Sequence, residues 1–264
     1  MLIRPGRSSG NLVDRRGSRG GKVGLGLGGL VILLIGAFFG LDLQPLLGGG
    51  GTSVAVDEQT TEPTDDASEF VDAILVETEE VWGELYRQSG ETYPEPDLVL
   101  YSGSTPTGCG YGQAAMGPFY CPPDRAIYLD LSFFNQLQRM GAQGEFAVAY
   151  VIAHEVAHHV QNVEGVLSRS RSNAISVQTE LQADCLAGIW AHHAEGNEPG
   201  DRIELTEADI ESGISAAAAV GDDAIQQRAG QAVRPETFTH GSSRQRVDAF
   251  LSGYRSGDYG VCFS

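Results

Sequence analysis

AYVIAHEVAHHVQ, residues 149–161, is the stretch on which the reading of this chain turns. It contains His154-Glu155-Val156-Ala157-His158, an HExxH pattern. On a helix, residues i and i+4 lie one above the other on the same face. His154 and His158 can therefore offer two imidazole nitrogens to one zinc ion. Glu155 sits beside them and can take a proton from a water at that ion. Two fixed ligands and a neighbouring base are what a zinc hydrolase requires. Phe146, Ala147, Val148, Ala149, Val151, Ile152, Ala153 and Val156 are apolar and free of Gly or Pro. The spacing predicts a largely buried helix over about 144–163. The rival reading is a pair of core histidines with satisfied hydrogen bonds, and a third ligand separates the two.

The next helical stretch, about 177–195, carries Thr179-Glu180-Leu181-Gln182-Ala183-Asp184-Cys185. Glu180 and Asp184 are again i and i+4, so they point the same way. The gap from His158 allows a short connection and an antiparallel return. Glu180 then completes a His₂Glu set and leaves a fourth position to water. Asp184 accepts a hydrogen bond from the second ring nitrogen of a ligand histidine and fixes its tautomer. The swapped assignment, with Asp184 as ligand, ranks second. Both acids on a solvated face is the bland alternative. Leu181, Ala183, Leu186, Ala187, Ile189 and Trp190 argue against it, because a carboxylate among them needs a partner.

Other candidates are weaker. His240, in the loop RPETFTHG (234–241), is a candidate oxyanion stabiliser, with a loop-anchoring hydrogen bond nearly as good a reading. His159 points roughly 100° away from His158 and reads as a supporting or surface residue. His192 and His193 read as surface. The strand holding Tyr128 is a candidate edge for pairing with an extended peptide.

The chain has 264 residues, with 35 acidic and 17 basic side chains and a formal charge of −18. Residues 1–22 hold six basic groups against one acidic, and Lys22 is the only lysine in the chain. The rest carries no cluster of Lys and Arg, which excludes a nucleic-acid footprint. Residues 1–22 read as a disordered basic tail. The run VGLGLGGLVILLIGAFFGL, 23–41, is uncharged and just long enough to cross a bilayer. It sits in an anchor placed at 23–44, followed by a flexible linker, 45–67. The positive-inside rule puts the N-terminus in the cytoplasm and the domain at 68–264 outside.

Four cysteines, Cys109, Cys121, Cys185 and Cys262, allow three pairings. The pair nearest in sequence is Cys109 with Cys121, which leaves Cys185 with Cys262. All follow the apolar run, consistent with an oxidising compartment. Within the domain, a helix begins near Ser68 and ends at Gly90. Strands fall at 98–101 and 126–130, with a loop or hairpin at 102–124 between them. Ser132 caps a short helix, Thr206-Glu207-Ala208-Asp209 starts another, and 242–257 makes the last. This is an α+β, mainly helical pattern with a small β element.

HExxH followed by ExxxD resembles the gluzincin arrangement. More closely, the chain is similar to the bacterial, membrane-anchored neutral zinc metallopeptidases. The resemblance rests on the basic tail with one apolar run, GPFYCPPDRAIYLDLSFF (117–134), AYVIAHEVAHHVQ (149–161), ELQADCLAGIWA (180–191) and FTHGSSRQR (238–246). It implies a zincin-like domain, a zinc cofactor and peptide hydrolysis with Glu155 as general base. The alternative from another class is a membrane-tethered binding or assembly module. Its zinc would be structural, closed by a fourth ligand such as His240 or Asp184. A third reading is an enzyme covered by its own 102–124 loop. Oligomeric state is not legible.

Overall fold

The computed structural model describes residues 1–3, 6–16, 65–142, 144–167, 172–195 and 203–263. The anchor expected at 23–44 lies outside them, as does the linker up to residue 64. Among the described residues, no helix is long and apolar enough to cross a membrane.

The tail departs from expectation. Leu2–Ile3 forms a short strand, β1, and Leu12–Asp14 forms β2. Composition suggested disorder because the tail is basic and poor in apolar groups. Yet Leu12 and Val13 are buried, Glu79 and Glu80 of the domain neutralise Arg7, and Asp14 and Asp65 neutralise Arg16.

Helix α1, Asp66–Gln88, starts earlier than the Ser68 expected from the sequence, so 65–67 is folded rather than linker. Asp65 is its cap, and Ser68 closes a capping box three residues on, with Ser68 N donating to Asp65 Oδ1 at 2.8 Å. Strand β3, Asp97–Tyr101, follows, and with β2 and α1 it makes a parallel βαβ unit. Ser104–Thr107 (β4) and Gly110–Gln113 (β5) form a hairpin. Phe119–Cys121 (β6) and Ala126–Asp130 (β7) pair antiparallel. The main sheet runs β2-β3-β7-β6. Leu98, Leu100, Ile127 and Leu129 face the helices. Val99, Tyr101 and Tyr128 face a smaller cluster on the other side. This is the two-residue alternation of a strand buried on both faces.

Tyr128 is thus on an inner strand. Phe119–Cys121 covers it, so the strand of Tyr128 offers no edge to a peptide. The Cys109–Cys121 disulfide ties the hairpin to β6, and Cys185–Cys262 is the second bridge.

Among the described residues, six more α-helices complete the domain. Ser132–Arg139 (α2) is capped by the Asp130 side chain, which accepts from Ser132 N at 2.9 Å; the Ser132 side chain is not the cap. Glu145–Val163 (α3) matches the expected metal helix. Asn173–Ala194 (α4) starts four residues early, because Ser172 caps it. After strand β8, Ile203–Glu204, which pairs with β1, comes Glu207–Ala219 (α5), capped by Thr206. A short helix, Asp222–Arg228 (α6), was not anticipated from sequence. Ser243–Ser256 (α7) is the last, capped by Ser242 and ended by Gly257 in the left-handed region, φ 63°. Helices α3, α4, α5 and α7 pack into one core in which Phe146 stacks on Trp190, ring centroids 5.9 Å apart.

Candidate metal centre

Helix α3 presents His154 and His158 one turn apart, and α4 presents Glu180 and Asp184 in the same way. The contacts pair His154 with Asp184 and Glu180, His158 with Glu180, and Gln161 with Thr179. Numbering rises on one helix as it falls on the other, so the two run antiparallel. Ligand atoms of His154, His158 and Glu180 all lie within 4.8 Å of one another. His154 Nε2 is 3.1 Å from Glu180 Oε2, and His158 Nε2 is 3.6 Å from Glu180 Oε1.

The other ring nitrogens fix the tautomers. His154 Nδ1 donates to Asp184 Oδ1 at 2.9 Å, and His158 Nδ1 donates to Gln161 Oε1 at 2.8 Å. Gln161 is held in turn, its amide donating to Thr179 O and Gln182 Oε1, each at 2.8 Å. With both Nδ1 atoms carrying protons, both Nε2 lone pairs face the Glu180 carboxylate. Three acceptors pointing at one another need a cation or a proton between them. Two imidazoles and a carboxylate are the donor set that suits zinc.

Asp184 is fully buried and saturated. Arg246 Nε donates to its Oδ2 at 2.8 Å and Nη2 to its Oδ1 at 2.9 Å; Tyr150 OH and His154 donate to it as well. Burial alone would raise its pKa, but the Arg246 and His154 charges outweigh it and hold the carboxyl low. Burial likewise opposes the charge on Glu180, and the two histidines push it well below the ordinary range. For His154 without a cation, burial works against protonation, but Asp184 and Glu180 carry it up to about 9. The pocket favours positive charge at its centre.

Asp184 is therefore turned to His154 and Arg246, away from the place of a ligand. Glu155 is buried beside the two histidines, and no hydrogen bond engages it among the described residues. His240 is about half exposed. Asp222 anchors its loop, accepting from the backbone N–H of Thr239, His240 and Gly241 at 2.7, 2.7 and 3.0 Å and from the His240 ring at 3.3 Å. Gly241 lies against Val177 and Leu181 of α4, so the loop borders the helix that carries Glu180. Nothing brings the His240 ring into the three-ligand cluster.

His159 is fully buried rather than at the surface. Its ring bridges Pro94 O and Tyr120 OH and braces α3 against β6. His192 and His193 are exposed, as expected, and donate to Tyr254 O and Gly257 O at the end of α7. Sequence reasoning missed Arg246, Tyr150 and Gln161. Tyr150 and Gln161 were findable, being four residues before His154 and three after His158, on the face of the ligands. Arg246 reaches the site from a helix over sixty residues away and carried no such signal.

The family described as "Putative neutral zinc metallopeptidase" matches residues 1–264. YpfJ of Escherichia coli K12 is 42% identical over 279 residues, covering 97% of this chain and 96% of that protein. Rv2575 of Mycobacterium tuberculosis H37Rv is 43% identical over 209 residues, covering 75% of this chain and 71% of that one. Neither name states an activity. No solved structure matches the chain. With the match running the whole length and taking in both ligand helices, this chain belongs to the neutral zinc metallopeptidase family.

Proposed function

We propose that the protein is a zinc-dependent metalloendopeptidase, with peptides or proteins as substrate, and that His154, His158 and Glu180 hold the ion. The observation that carries this reading is the three-ligand cluster with Asp184 turned away from it. A closed structural site needs a fourth protein ligand. Both candidates for that place are engaged elsewhere, Asp184 by Arg246 and His240 by Asp222. Zinc bound there supplies Lewis-acid polarisation and makes an adjacent water more acidic.

The chain's own residues do the rest. Glu155 accepts a proton from the attacking water and returns it to the leaving amine nitrogen. Asp184 and Gln161 hold the two imidazoles with Nε2 bare, and Arg246 holds Asp184. His240 is oriented by Asp222 through Nδ1; in its doubly protonated form it also donates from Nε2 to the oxyanion once substrate draws the loop in. Residues 23–41 attach the enzyme to a membrane, and the disulfides fit an extracytoplasmic domain.

The test is zinc content and casein cleavage of the full-length protein, with and without Glu155→Gln. Equal zinc with cleavage lowered about 10²–10⁴-fold is expected from loss of the general base. Unchanged cleavage removes Glu155 from the reaction.

A further inference from the structure

The segment before the apolar run is built into the domain. Leu12, Val13 and Asp14 lie opposite Leu98, Val99 and Leu100 in a parallel ladder. Leu98 N donates to Asn11 O at 2.9 Å, and Arg15 N donates to Leu100 O at 2.8 Å. Leu12 enters the main core and Val13 the smaller cluster, so β2 is buried on both faces. The polar contacts are equally specific. Ser9 N donates to Asp72 Oδ1 at 3.0 Å, and Asn11 Nδ2 donates to Glu79 Oε1 at 2.9 Å. Arg7 Nη2 stands 3.3 Å from Glu79 Oε2. Asp72 and Glu79 are buried, and without the tail they would lack these partners.

The two ends of the stretch between tail and domain also meet. Arg16 Nη1 is 2.6 Å from Asp65 Oδ2, and the same guanidinium holds Asp14. A bilayer's hydrocarbon core is about 30 Å thick. One crossing between residues 16 and 65 would put tail and domain on opposite sides of it. A strand ladder and an ion pair cannot form across that distance. The charge contrast, basic tail against acidic domain, points the same way. The positive-inside rule concerns Lys and Arg near the membrane, whereas Arg7 and Arg16 are paired with Glu79, Glu80, Asp14 and Asp65.

We infer that residues 1–16 share the compartment of the catalytic domain as its sheet-edge strand. A single membrane crossing between tail and domain is incompatible with that packing. This holds whether or not the domain is a peptidase.

The test uses the full chain in its bacterial membrane, carrying Arg7→Cys together with Glu80→Cys. Both side chains are exposed, at 51% and 45%, so the exchange leaves the core alone. All four native cysteines are paired and do not compete. A short bismaleimide is added, and the chain is then cut at a protease site placed between residues 45 and 64. The pieces are expected to stay joined on a denaturing gel in the double variant and to separate in each single variant. Separation in the double variant overturns the inference. Joining only as a two-chain product also overturns it, because the tail would then belong to a second copy. A second measurement labels Arg7→Cys and Ser256→Cys, in separate chains, with a membrane-impermeant maleimide. Labelling from the same side is expected, and labelling from opposite sides overturns the proposal.

Discussion

Asp184 carries more of this site than its place behind His154 suggests. It fixes the His154 tautomer and balances the buried Arg246 charge. Asp184→Asn keeps the shape and loses the charge. Zinc affinity should fall about 10–100-fold. Leaving the guanidinium buried without its carboxylate should also cost about 3–5 kcal/mol of stability. Zinc titration and urea unfolding measure the two separately. The pH dependence of the metal-free protein follows from the same groups. His154 is raised from 6.5 to about 9, so its contribution is full below 6.5 and drains as pH climbs through 9. Asp184 is lowered from 3.8, so its contribution is present above 3.8 and is lost as pH falls through its native value. Unfolding midpoints without zinc should decline between pH 6.5 and 9. Added zinc should remove the decline, since the ion takes the place of the proton. A flat metal-free profile would contradict the arrangement. The clustering of His154, His158 and Glu180 was legible from sequence, because helical spacing puts i and i+4 on one face. Arg246 was not, because its contact is made by packing between distant helices.

At the scale of elements, α4 and α7 touch backbone to backbone. A Cβ on Gly188 would stand 2.1 Å from Phe250 O, and one on Gly253 would stand 1.9 Å from Cys185 O. These glycines let α7 come close enough for Arg246 to reach Asp184. Gly188→Ala should force the helices apart, cost about 1–3 kcal/mol by overpacking, and weaken zinc binding along with the fold. Unaltered zinc affinity in that variant would separate Arg246 from the site. The Cys185–Cys262 bridge ties α4 to the C-terminal turn that follows α7 and spans 77 residues. Its removal by Cys185→Ser with Cys262→Ser should cost about 4 kcal/mol on the loop-entropy account, read from the denaturation midpoint. Helices α1, α5 and α7 were legible because apolar spacing and a Ser, Thr or Asp cap agreed, and α3, which starts after Gly144 with no side-chain cap, from its apolar spacing alone. Helix α6 spans seven residues, too few for a period to show. The hairpin and β6 were legible only as loop or hairpin, because Gly, Pro and Cys mask short strands.

For the whole molecule, the tail was the part least legible. Its Gly, Ser and Arg content looks like disorder, and the three residues that pair, Leu12–Asp14, are too short to stand out. Only the partner strand makes them a strand. A soluble chain that begins at residue 65 therefore lacks the sheet edge. It should be less stable than the full chain by about 3 kcal/mol or more, from the lost burial of Leu12 and Val13. Adding residues 6–16 back as a peptide should restore part of the loss, seen as a raised unfolding midpoint. The mainly helical α+β composition was legible, whereas the parallel βαβ unit was not, since one of its strands precedes the apolar run.

The most direct test is zinc X-ray absorption on the full-length protein loaded with one equivalent of zinc, alongside Glu180→Gln. The account predicts one zinc per chain with two imidazoles, one carboxylate and an exchangeable oxygen, and loss of that spectrum in Glu180→Gln. A third imidazole or a sulfur ligand, or a spectrum unchanged by Glu180→Gln, would contradict it.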